Sequence, residues 1–146
     1  MWSLSQGFLL SEAVENKSKD TVALLRLFAF LNPDGILIEF LQAGTSGLPA
    51  VFRDLIESSF VFNDALRDLQ MFSLIQRPVG EHIIRIHRLV QSVIKDELPD
   101  NERRWYKEIF INLGLAAFPK FNYYNRNLCG RFQEQMIRPL EDRCMR

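Results

Sequence analysis

Two histidines, two cysteines and one small Gly-Thr-Ser-Gly loop are where side-chain chemistry would have to begin in this 146-residue chain. His82 sits beside a predicted turn and is expected at the surface. His87 stands where an apolar strand pattern gives way to helical spacing. From position alone its ring reads as a helix cap or a partner in a core hydrogen bond. Cys129 and Cys144 lie far in sequence from both histidines, with no metal-ligand spacing between them. The opening, Met-Trp-Ser-Leu-Ser-Gln-Gly-Phe-Leu-Leu, has neither the basic start nor the long apolar run of a secretory signal. The cysteines therefore read as reduced thiols, and a cytoplasmic location is expected. Gly44-Thr45-Ser46-Gly47 lacks the lysine and the preceding strand of a phosphate loop, so it reads as a plain connection. Neither histidine has an acid or nucleophile placed to work with it. No enzyme activity, catalytic residue or metal ligand is expected of the chain, and His87 is the one candidate site residue.

The composition sets outer limits. With 47% hydrophobic and 25% charged residues, the chain matches ordinary globular domains and is long enough to bury a real core. Twelve phenylalanines demand burial, within the chain or against a partner. A formal net charge of zero argues against a general nucleic-acid or membrane-surface binder, which needs a basic face. The most apolar window, Thr21 to Leu31, is interrupted by Arg26 and is too short to span a bilayer.

The elements that must position His87 follow from periodicity. Met1 to Val14 is weakly helical, and Glu15 to Asp20 is a polar break. Thr21 to Leu31 is apolar nearly all round and predicts a buried helix, stopped by Asn32-Pro33-Asp34-Gly35. Ile36 to Gln42 suits strand or helix, and is read as a short helix. Pro49 suits a first helical position for a helix reaching about Ser58. Asn63 is the expected N-cap of a helix from Asp64 to Phe72, with Ala65, Leu66, Leu69 and Phe72 in its stripe. Ser73 to Arg77, a turn at Pro78 to Glu81, and His82 to His87 then predict a β-hairpin with Ile84 and Ile86 on one face. Arg88 to Leu98 returns to helical period through Leu89, Val90, Val93 and Ile94. Pro99 ends it. Asp100 to Ala117 predicts a helix with Trp105, Ile109, Leu113 and Ala116 inward. Lys120 to Asn127 reads as loop, and Leu128 to about Arg143 as a last helix through Leu128, Phe132, Met136 and Leu140.

Helices followed by a two-stranded hairpin are the signature of a winged helix-turn-helix. The expected fold class is therefore mainly α, a winged helix followed by C-terminal helices. Such folds often read DNA with the helix before the wing. Here that helix would offer Asp64, Arg67, Asp68 and Gln70, and two acids near its start would repel phosphates. The wing is short and not strongly basic.

Several stretches resemble one family. Ile86 to Ile94 (I-H-R-L-V-Q-S-V-I) is similar to the winged-helix domain of fungal NB-ARC (STAND-class) ATPases that carry tetratricopeptide repeats. Trp2-Ser3-Leu4-Ser5 resembles that family's W-x-L-S opening. Leu24-Leu25-Arg26-Leu27 with Phe30-Leu31-Asn32-Pro33-Asp34 resembles its helix and turn. Asn63-Asp64-Ala65-Leu66, Leu69 and Phe72-Ser73-Leu74-Ile75 resemble its helix-to-strand passage. Phe118-Pro119 falls where the domain hands over to repeats, and Cys129-x-x-Phe132-x-x-Gln135 is similar to the first repeat-side helix. Ile86-His87-Arg88 falls where related plant immune receptors have Met-His-Asp. By that resemblance His87 would touch the β-phosphate of ADP in a full-length protein, with Arg88 in place of the usual acid.

The resemblance implies a regulatory module of a signalling ATPase that couples nucleotide state to a C-terminal repeat sensor. ADP or ATP would belong to the full-length protein, and no cofactor to this chain alone. Its partners would be the nucleotide-binding domain and helical repeats of the same protein, or other proteins, with no nucleic acid and no membrane. The expected organisation is residues 1–20 as helix and linker from a preceding domain and 21–98 as winged helix. Residues 99–119 would be a connecting helix, and 120–146 the start of repeats. The alternatives are a winged-helix DNA-binding protein and a simple protein-interaction module.

Overall fold

A computed structural model describes residues 19–118 and 126–144, with side chains described as far as residue 140. Among these residues the chain forms seven α-helices and a small three-stranded antiparallel sheet. The expectations for Met1 to Val14 and for 120–125 lie outside the described residues.

The first helix, α1 (Lys19–Phe28), buries Thr21, Val22, Leu24, Leu25, Leu27 and Phe28, as its nearly continuous apolar run requires. The turn that follows is tied locally, because the Asp34 N–H donates to Asn32 Oδ1 at 3.1 Å. The next segment differs from the predicted short helix. Ile36–Leu37 is a strand, β1, and only Ile38–Ala43 is helical, as α2. A two-residue strand carries no period of its own, so only its partner could reveal it. A 3-10 turn (Thr45–Gly47) leads to α3 (Ala50–Glu57), with Pro49 as its N-cap and Ala50 first in the helix.

Helix α4 (Ser59–Met71) begins five residues before the predicted start. Ser58, not Asn63, is the cap, and its side chain accepts from the Val61 N–H. The physical reason is Phe62. It is buried with Ala65, Leu66 and Leu69, at i, i+3, i+4 and i+7, so the apolar stripe begins upstream of Asn63. Phe72, expected in that stripe, is the C-cap and is only half-buried.

The hairpin is present as β2 (Ile75–Gln76) and β3 (Ile83–Ile86). Ile75 pairs with Ile86 and Gln76 with Arg85. On its other side β3 pairs with β1, Ile84 opposite Ile36 and Ile83 opposite Leu37. The strand order is β1-β3-β2, so β3 is central. Ile84 and Ile86 are buried and Arg85 is exposed, the alternation expected of a strand with one covered face. Ser73 and Gly80 take positive φ, 59° and 80°, at the two bends of this passage.

Three helices complete the fold: α5 (Arg88–Glu97), α6 (Asp100–Ala117) and α7 (Arg126–Cys144). The core runs without a break from α1 to α7, including Tyr106, Ile109, Phe110, Leu113, Ala117 and Phe132. The stripe of α6 is rotated from the predicted one. Tyr106 is buried where Trp105 was expected, and Trp105 lies largely at the surface. The Tyr106 ring stacks on Phe30, 5.5 Å between centroids, and meets Phe52 edge-on at 6.2 Å. Burial pushes the Tyr106 phenol above its ordinary pKa, while the charge of Arg26 and a hydrogen bond from it pull the other way. Glycines permit a close approach of the 3-10 turn to α6. A Cβ on Gly47 would stand 2.2 Å from the Asn112 carbonyl oxygen, and one on Gly44 2.6 Å from that of Leu113. The 3-10 turn therefore lies directly on the α6 backbone. No described helix is long and apolar enough to cross a membrane.

Candidate functional site

His87 is placed by the end of β3. Its backbone remains extended, with φ −67° and ψ 136°, while its carbonyl already accepts from the Gln91 N–H inside α5. That half-in, half-out geometry defines an N-cap. The ring completes it, because Nδ1 accepts from the Leu89 N–H at 3.0 Å. With Nδ1 accepting, the neutral ring carries its proton on Nε2. The residue as a whole is exposed.

The surroundings of His87 carry charge of both signs. It opens a ten-residue helix whose first N–H groups carry the positive end of the helix dipole. Arg88 follows it, and its guanidinium lies 3.5 Å from Asp34 Oδ2, with both side chains more than half exposed. A pair so exposed adds little to stability, but it ties the start of α5 to the turn after α1. The cap therefore sits between the central strand, the loop at Asn32–Asp34 and solvent.

Behind the cap, α5 buries Val90 and Ile94 as its sequence predicts and leaves Val93 half-buried. Leu89 is exposed, and Gln91 is buried at 5% exposure. The Gln91 Nε2 donates to the Phe28 carbonyl at 3.1 Å and the Leu31 carbonyl at 2.9 Å. One amide thus satisfies two backbone acceptors at the end of α1. Sequence reasoning passed over it, although an amide between Val90 and Val93 in an otherwise apolar stripe was a visible signal.

A side-chain hydrogen bond also ties the hairpin beyond the cap to α4, where Arg77 donates to Asn63 Oδ1 at 3.3 Å. Val79 at the tip is fully exposed. His82 is exposed, as expected, and its carbonyl accepts from the Ile38 N–H at 3.1 Å, so His82 and His87 stand at opposite ends of β3. On α4, Arg67 turns to Asp64 at 3.8 Å on the outer face. Cys129 is half-buried on α7. Among the described residues, no three His, Cys, Asp or Glu side chains cluster closely enough to hold a metal ion.

A helical domain with a small antiparallel sheet and a capping histidine at the sheet-to-helix junction is the class defined by this geometry. Residues 12–103 match the family described as Domain of unknown function (DUF7779), so the match covers more than half of the chain. The chain belongs to that family. No curated protein and no solved structure matches it.

Proposed function

We propose that the chain is a winged-helix regulatory module of a STAND/NB-ARC-type signalling ATPase. It would couple nucleotide state to a C-terminal repeat sensor and catalyse nothing itself. The observation that carries the reading is the strand order. Helices α1 to α4 precede the hairpin, and β1 closes the sheet against its second strand in the order β1-β3-β2. This is how a winged helix joins its early strand to its wing. On this reading His87 would stand at the foot of the wing, where the resembling receptors carry their phosphate-contacting histidine.

The ring geometry supports a sensor role that coexists with the cap. Nδ1 is occupied by Leu89, and Nε2–H belongs to an exposed residue at the positive end of α5. A neutral imidazole in that tautomer donates to a phosphate oxygen without surrendering the cap. Arg88, where the related motif has an acid, is paired with Asp34 at the same corner. A DNA-reading role has less support, because the outer face of α4 neutralises its own Arg67 with Asp64.

The test separates cap from sensor. Serine is a good N-cap without an imidazole. In the longer protein that carries the phosphate loop, His87→Ser should keep the melting temperature and release ADP faster, with raised basal signalling. Unchanged ADP release in a stably folded His87→Ser protein refutes the sensor. A reading frame without an upstream phosphate loop refutes the whole assignment.

A further inference from the structure

The outer edge of β1 faces the last helix. The Ile38 N–H turns inward to the His82 carbonyl beside β3, so the Leu37 N–H and the Gly35 carbonyl point the opposite way. In a parallel ladder, one residue of the incoming strand donates to the carbonyl before its partner and accepts from the N–H after it. Gln135 does this with its side chain. Its Nε2 donates to the Gly35 carbonyl at 2.8 Å, and its Oε1 accepts from the Leu37 N–H at 3.1 Å. Those two groups flank Ile36. A single carboxamide, only 4% exposed, stands in for one residue of a fourth strand.

The rest of α7 is seated by side-chain packing. Among its described side chains Phe132 and Pro139 are buried besides Gln135, and Leu128 and Met136 pack against the core. Phe132 meets Phe40 edge-on, 5.2 Å between centroids. Arg131 reaches Glu39 at 3.5 Å across an exposed surface, where an ion pair contributes little. Pro139 stands inside the helix, four residues after Gln135. Proline has no N–H, so the Gln135 carbonyl lacks its helical hydrogen bond at the very turn that carries the amide.

We infer that α7 is a releasable strap, latched to the sheet through the Gln135 carboxamide, and that it leaves as a unit while α1 to α6 stay folded. Opening the latch uncovers the β1 edge and moves any chain attached beyond the helix. The strap does not depend on the nucleotide-sensor reading, since it needs only the sheet and the helix.

Hydrogen–deuterium exchange on the whole chain tests it. Gln135→Ala should speed exchange of the Leu37 amide and of α7 amides by about tenfold or more, with α1, α4 and β3 unchanged. Gln135→Glu keeps the acceptor for Leu37 and loses the donor to Gly35 at neutral pH. Its buried carboxylate would face that carbonyl, so it should give the same pattern at least as strongly at neutral pH and more weakly in acid, where the regained proton can donate; the acid measurement decides the matter if the alanine variant does not fold. Pro139→Ala restores the missing donor and should slow exchange in α7. Protection unchanged at Leu37 and α7 in both Gln135 variants overturns the latch. Protection lost throughout α1, α4 and β3 overturns the strap, because α7 would then be part of one cooperative core.

Discussion

Gln91→Ala is the most informative single change in the core of this fold. The Gln91 amide donates to the carbonyls of Phe28 and Leu31, and the residue is buried. Alanine removes both donors and provides no substitute. Each hydrogen bond contributes about 1 kcal/mol net, and each buried acceptor left unsatisfied costs about 1–3 kcal/mol. The Phe28 carbonyl keeps the Leu31 N–H as a donor, so only the Leu31 carbonyl is left unsatisfied. The loss then comes to about 2–4 kcal/mol, a large part of the roughly 5–15 kcal/mol that holds such a domain together. For a chain of this length that lowers the melting temperature by roughly 6–15 °C. Urea unfolding followed by helical circular dichroism, with slopes compared, measures it directly. Gln91→Glu supplies the control. A carboxylate accepts and cannot donate to two carbonyls, so at neutral pH it should be at least as damaging as alanine. A buried carboxyl facing acceptors holds its proton more tightly when folded than unfolded. Its stability is therefore present at low pH and lost as pH rises, so the Glu variant should recover partly in acid and alanine should not. A loss below about 0.5 kcal/mol for Gln91→Ala, or a Glu variant indifferent to pH, would sink the assignment of Gln91 as the partner of the α1 end.

Other predictions concern separate parts of the fold. Gly47→Ala forces a Cβ against the Asn112 carbonyl and should destabilise by about 1–3 kcal/mol in the same unfolding assay; a neutral effect means the 3-10 turn is not seated on α6. The raised pKa of Tyr106 means that the unfolded chain loses its phenolic proton first as pH climbs. Its contribution is present below the ordinary tyrosine range and is lost above it, so stability should fall in alkali and Tyr106→Phe should flatten that fall. His87→Ala should cost about 0.5–2 kcal/mol through the lost cap and His87→Ser much less, a ranking that thermal denaturation checks. If the wild-type chain shifts duplex DNA in a gel at low salt, the reading of α4 as a self-neutralised face is wrong.

Local features were legible wherever the signal is local. The hairpin showed because Ile84 and Ile86 alternate with polar neighbours, and Pro78 to Glu81 has turn chemistry. The stop after α1 showed because Asn32-Pro33-Asp34-Gly35 admits no helix. His87 showed as a cap because it falls where one period hands over to another. The start of α4 was misread because Asn63 is a better cap by residue type than by position, and a buried Phe62 outweighs it. The one-residue error in the α6 stripe has a similar origin. Both Trp105 and Tyr106 are aromatic, and only the stack on Phe30 decides which turns inward.

The sequence by itself determined a mainly helical domain with one hairpin, the junction at His87, and the lack of a basic face on α4. These follow from residue type, charge and spacing within a few residues of one another. Tertiary structure alone decided the third strand, the burial of Gln91 and the seating of α7 through Gln135. The physical reason is range. β1 exists because Ile84 lies opposite Ile36, and the two amides find their acceptors 60 to 100 residues away. A backbone donor or acceptor must be satisfied somewhere, but the sequence does not say by whom until the chain has closed on itself.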